Sequence, residues 1–179
     1  MRAVAPALAL GNAVVLKPDP RTAVCGGVVI ARLFELAGLP AGVLQMLPGD
    51  GQAGAALTAD AHVAAIQFTG STAAGRHVGQ ACGKHLKKVS LELGGKNALL
   101  ILDDADLELA VNNAVWGTFL HQGQICMATG RILVQRRLHD AFVERLLAKV
   151  ASLRAGDPWA NPEVLVGPLI NAGQRDHCH

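Results

Sequence analysis

Two stretches, Ala64-Ala65-Ile66-Gln67-Phe68-Thr69-Gly70-Ser71-Thr72 and Val89-Ser90-Leu91-Glu92-Leu93-Gly94-Gly95-Lys96, decide the fold. Each begins as an apolar run of strand length and is stopped by glycine, which ends a strand without side-chain bulk. The residues between them, Ser71–His85, have the length and apolar spacing of a helix. A strand, a helix and a second strand in that order make a parallel pair, because a helical crossover returns the chain in the same direction. The same alternation continues outward, with further strands expected at Val14–Leu16, Leu44–Leu47, Ala98–Leu102 and Ile132–Val134. Helices are expected at Thr22–Ala37, closed by Gly38 and Pro40, and at Asp106–His121, whose acidic first turn complements the helix dipole. Phe142, Val143, Leu146, Leu147 and Val150 mark one apolar stripe on a later helix. The chain therefore reads as α/β with a mostly parallel sheet.

Composition narrows the function classes. Hydrophobic residues make up 51% of the 179, enough to fill a core, but aromatics are only 3% and tyrosine is absent, so core volume must come from Leu, Val and Ile. A net charge of +2, with no basic run, does not suggest a nucleic-acid partner. Cys25, Cys82, Cys126 and Cys178 are widely spaced and form no C-x-x-C pair, which supports neither a zinc site nor a disulfide framework and points to the reducing cytoplasm. Three soft ligands at the end of the chain, His177-Cys178-His179, are expected to be a frayed terminus rather than a metal site. Arg2 followed by Ala3–Leu10 imitates the start of a signal peptide, but no apolar run reaches the roughly 18 residues of a membrane span.

Four polar positions lie where chemistry is plausible. Glu92 is near the end of its strand, and Cys126, after Gly123-Gln124-Ile125, falls in a loop where a thiol can meet a substrate. Lys17 leaves a strand at its carboxyl end, the edge where open α/β sheets bind ligands, although a strand-end lysine is otherwise an ordinary solvated charge. Gly70-Ser71 joins a strand to a helix, so free amides and a hydroxyl face whatever lies over the helix end; a pyrophosphate fits there, and Ser71 also fits as a simple N-cap.

Four motifs in order, Pro6 to Pro18, Phe68 to Thr72, Glu92-Leu93-Gly94-Gly95-Lys96 and Gly123-Gln124-Ile125-Cys126, resemble the aldehyde dehydrogenase superfamily along nearly the whole chain. The resemblance implies a Rossmann-like fold, with a partial coenzyme-binding domain over residues 1–93 and the start of a catalytic domain over 94–179. It implies that Cys126 is the nucleophile and Glu92 the general base, and that Lys17, Gly70, Ser71 and Leu93 hold the coenzyme. The coenzyme would be NAD, with NADP tolerated, because Pro20 stands where many NAD-specific members place a glutamate that repels a 2′-phosphate. The segments Lys17 to Thr22 and His121 to Met127 look most like benzaldehyde and vanillin dehydrogenases, which oxidise aromatic aldehydes. No metal is implied, and a full-length form is expected to be a homo-oligomer.

By the same resemblance both ends look cut: an oxyanion-binding asparagine is expected upstream of Met1, and a ribose-binding glutamate and an oligomerisation strand beyond His179. Residues 1–179 alone are therefore expected to bind coenzyme poorly and to turn over no aldehyde. Two other functions fit the residues: a non-catalytic nucleotide-binding or interaction fragment, and an acyltransferase that uses Cys126 without a nicotinamide.

Overall fold

The computed structural model describes residues 1–178, and the chain divides into two compact units, the first Met1–Leu93 and the second beginning at Gly94. In the first, α1 (Val4–Ala9), β1 (Val14–Leu16), α2 (Val29–Leu36), β2 (Leu44–Met46), α3 (Gly51–Ala59), β3 (Ala65–Gly70), α4 (Thr72–Lys84) and β4 (Lys88–Leu93) follow in order. The second contains β5 (Asn97–Ile101), α5 (Leu107–Phe119), β6 (Thr129–Val134), α6 (His139–Ala151) and α7 (Ala172–Cys178). His179, the last residue of the terminal His-Cys-His run, lies outside the described residues.

Every strand pair is parallel, as the alternation predicts, but the pairs form three two-stranded sheets rather than one continuous sheet: β1 with β2, β3 with β4, and β5 with β6. Caps fix the helices that matter for the site. Ser71 Oγ accepts from the Ala74 amide at 3.2 Å at the start of α4, and Asp106 Oδ1 accepts from the Leu109 amide at 2.9 Å at the start of α5.

The expected helix 22–37 is observed as a helical run from Ala23 to Leu36, but it is not α-helical throughout. A 3-10 turn at Pro20–Thr22 and a π-helical turn at Val24–Val28 precede α2, and Gly27 is pressed so close to Pro18 that a Cβ there would stand 2.8 Å from the proline Cγ. The expected helix 106–121 stops at Phe119, because His121 and Gln122 take left-handed conformations (φ 51° and 57°). Helix α3 has no counterpart among the expectations: Gly51, Gly54 and four alanines leave almost no apolar periodicity to read. In the second unit, α5 and α6 cover one face of β5–β6, and Ile101, Val111, Ala114 and Phe142 form a buried cluster backed by Leu99, Ile132 and Val134.

Candidate active site

The register of β3 and β4 brings four of the expected residues together. Thr69 pairs with Glu92 and Gly70 with Leu93, so Gly70, Ser71, Glu92 and Leu93 share the carboxyl edge of one sheet, where α4 begins. Helix α4 can lie close to β4 because Gly75 and Gly79 face it one turn apart. A Cβ on Gly75 would run into the δ-methyls of Leu93, and one on Gly79 would stand 3.4 Å from Leu91 Cδ1. Leu91 and Leu93 therefore face α4. Side chains alternate along a strand, which sends Glu92 to the opposite face, where it is exposed.

At the start of α4 the Ala74 amide is used by Ser71 Oγ and the Gly75 amide by the Ser71 carbonyl at 2.9 Å. The amides of Thr72 and Ala73 have no partner within the helix, at its positive end. Two free N–H donors, an exposed hydroxyl and a glycine at the strand end are a donor set that fits a diphosphate.

Lys17 follows β1 and is half-buried. Its ammonium donates to the Pro18 carbonyl at 2.8 Å and to the Gly49 carbonyl at 3.0 Å, leaving one of its three donors for a ligand hydroxyl. The side chain of Asp19, two residues on, is taken up by Arg21, which donates from its amide and Nε at 2.9 Å and from Nη2 at 2.8 Å. The Arg21 side chain is the main reason that the Asp19 carboxyl is lowered from 3.8 to about 2.

Cys126 lies in the second unit, on an exposed turn closed by the Ala128 amide donating to the Ile125 carbonyl at 2.9 Å, and its thiol is free. His121, Gln122 and Gly123 approach it through three consecutive left-handed residues (φ 51°, 57° and 71°). At non-glycine positions that conformation costs on the order of 1 kcal/mol each and must be held by its surroundings. The Gln124 amide donates to the His121 carbonyl at 3.0 Å. With its amide oriented to satisfy both partners, Gln122 donates to the His121 carbonyl at 3.1 Å and accepts from the Gly167 amide at 2.9 Å.

Asn97 is absent from the sequence-based expectations. Its Nδ2 donates to the carbonyls of Cys126 at 2.8 Å and Ala128 at 3.1 Å. The only hint in the sequence is an amide directly after Gly94-Gly95-Lys96. Among the described residues there is no group of three or more His, Cys, Asp or Glu able to hold a metal ion, and no helix is long and apolar enough to cross a membrane.

The aldehyde dehydrogenase family model matches residues 1–179. The chain is similar to the vanillin dehydrogenase of Amycolatopsis sp. (63% identical, covering 100% of this chain and 37% of that protein). It is also similar to the NAD+-dependent benzaldehyde dehydrogenase of Pseudomonas putida (54%, covering 100% and 37%). Among solved structures it resembles PnpE of Pseudomonas sp. WBC-3 in complex with nicotinamide adenine dinucleotide, at 44% identity and a TM-score of 0.90 over 96% of this chain and 35% of that one. The α/β fold with parallel strands is therefore shared with solved members of this group, and the chain spans 37% of the length of these curated relatives.

Proposed function

Because the chain belongs to the aldehyde dehydrogenase family, we propose that the protein oxidises an aldehyde to the carboxylic acid with NAD+ or NADP+, with Cys126 as nucleophile and Glu92 as general base. The first unit is then part of a coenzyme-binding domain and the second the beginning of a catalytic domain. The observation that carries the chemistry is the free, exposed thiol of Cys126 on a turn fixed by hydrogen bonds.

The Cys126 thiolate adds to the aldehyde carbon and the carbonyl π electrons move to oxygen, giving a thiohemiacetal oxyanion; the thiol itself is a poor nucleophile. Backbone N–H groups of the turn are candidates to stabilise that oxyanion. When bound, the nicotinamide coenzyme accepts the hydride that converts the thiohemiacetal to a thioester. Glu92 then takes a proton from water as its oxygen attacks the thioester carbon, and the C–S bond breaks to return the cysteine. The exposed face of β4 on which Glu92 stands leaves its carboxylate open to water, as that role needs.

Coenzyme binding is assigned to Lys17, Gly70, Ser71 and Leu93. The free amides at the start of α4 suit the pyrophosphate, the remaining Lys17 donor suits a ribose hydroxyl, and Leu93 ends β4 opposite Gly70 at the same sheet edge. An aromatic aldehyde is the proposed substrate, supported by the names of the vanillin and benzaldehyde dehydrogenases to which the chain is similar.

The test places residues 1–179 in the corresponding segment of the Amycolatopsis vanillin dehydrogenase. The chimera should oxidise benzaldehyde or vanillin, Cys126→Ala should abolish acid formation while coenzyme binding persists, and Glu92→Gln should slow turnover about 10²-fold or more. Normal turnover by Cys126→Ala would refute the assignment.

A further inference from the structure

We propose that Asn97 is a positioning residue for Cys126, and this rests on the reading of Cys126 as the nucleophile. Asn97 opens β5 directly after Gly94-Gly95-Lys96, and a single Nδ2 group reaches across 29 residues of sequence to the Cys126 carbonyl at 2.8 Å and across 31 to the Ala128 carbonyl at 3.1 Å. A peptide unit is planar, so fixing the Cys126 carbonyl also fixes the Met127 N–H on the far side of the same plane, and fixing the Ala128 carbonyl fixes the Thr129 N–H. Two of the peptide planes that set the backbone of the cysteine turn are thus held by one side chain.

The turn needs such a hold. No side-chain hydrogen bond other than those of Asn97 reaches residues 125–128 among the described residues, and the turn follows three left-handed residues that strain the approach from the other side. Gln122 anchors that approach to Gly167, so the thiol sits between two amide clamps, one before it and one after. The start of β5 is itself seated by Lys96, whose stem lies where a Cβ on Gly130 would stand, 2.6 Å from Lys96 Cδ. The strand that supplies the clamp and the strand that follows the cysteine are thereby packed together. An aspartate at position 97 keeps the size of the side chain but turns a donor into an acceptor facing two carbonyls, which makes it a sharp probe.

The experiment is alkylation of the 179-residue chain by iodoacetamide near neutral pH, followed at each cysteine by mass spectrometry. Cys25 and Cys178 are exposed, free and remote in sequence from Asn97, so they serve as internal references. Cys126 should react about fivefold or more faster than Cys25 near neutral pH, and Asn97→Ala or Asn97→Asp should remove that difference. Asn97→Ser, which retains one short donor, should restore part of it. If Asn97→Ala loses its far-UV circular dichroism, the isosteric Asn97→Asp carries the comparison. A fast Cys126 that none of the variants changes would overturn the positioning role and leave the nucleophile intact. A Cys126 no faster than Cys25 in the unmodified chain would overturn both.

Discussion

Position 20 lies between a carboxylate and a guanidinium that satisfy one another. Asp19 accepts three hydrogen bonds from Arg21, which is the main reason that its carboxyl is lowered to about 2. Pro20 begins the 3-10 turn and carries no charge that would repel a 2′-phosphate. Pro20→Glu in the chimera should therefore raise KM for NADP+ about tenfold or more through charge repulsion while changing KM for NAD+ little, as measured by initial rates with each coenzyme. An unchanged ratio would show that position 20 does not face the coenzyme. The departure was legible from the residues alone. The Asp19–Arg21 pairing around it was not, because which acceptor an arginine chooses depends on backbone turns that composition does not reveal.

Secondary elements divide into those whose signals agree and those whose signals are silent. In β3–α4–β4 the apolar runs, the Ser71 cap and the glycine stops all point one way, and the observed bounds lie within one or two residues of the expected ones. In α3 the small residues give no periodicity, and the helix is set by the Asp50 cap, whose Oδ1 accepts from the Gln52 amide at 2.8 Å. The end of α5 was also hidden, since left-handed His121 and Gln122 contradict local preference and are held by contacts with residues distant in sequence, such as Gly167. Of the expected stripe Phe142, Val143, Leu146, Leu147 and Val150, the first three pack into the core with α5 and β5–β6, whereas Leu147 turns out to solvent at 64% exposure. Phe142, 1% exposed, is its centre. Phe142→Ala should cost the second unit about 3–5 kcal/mol and lower its thermal midpoint, checked by circular dichroism melting, whereas Leu147→Ala, at 64% exposure, should have a small effect. Equal melting of the two variants would contradict the assigned core.

At the scale of the whole molecule, the division after Leu93 separates Glu92, on the last strand of the first unit, from Lys96, Asn97 and Cys126 in the second. The order of chemical groups was readable from the sequence because each sits in a short run with its own glycine or proline punctuation. The separation of the sheets was not, because strand pairing depends on partners that periodicity does not name. Leu100 and Leu133 pair across β5–β6 and remain 64% and 54% exposed on the face away from α5 and α6, which they share with Ala98 and Arg131.

The two-step use of Cys126 and Glu92 is tested most directly by trapping the acyl group. In the chimera bearing Glu92→Gln, mixed with benzaldehyde and NAD+ and quenched in acid, mass spectrometry of the proteolysed protein should find a benzoyl thioester on the peptide containing Cys126 and on no other cysteine. It should accumulate there faster than acid is released, because the step slowed is attack of water on the thioester. A benzoyl group on Cys25, Cys82 or Cys178, or acid release at the unmodified rate with no acylated Cys126, would contradict the assignment.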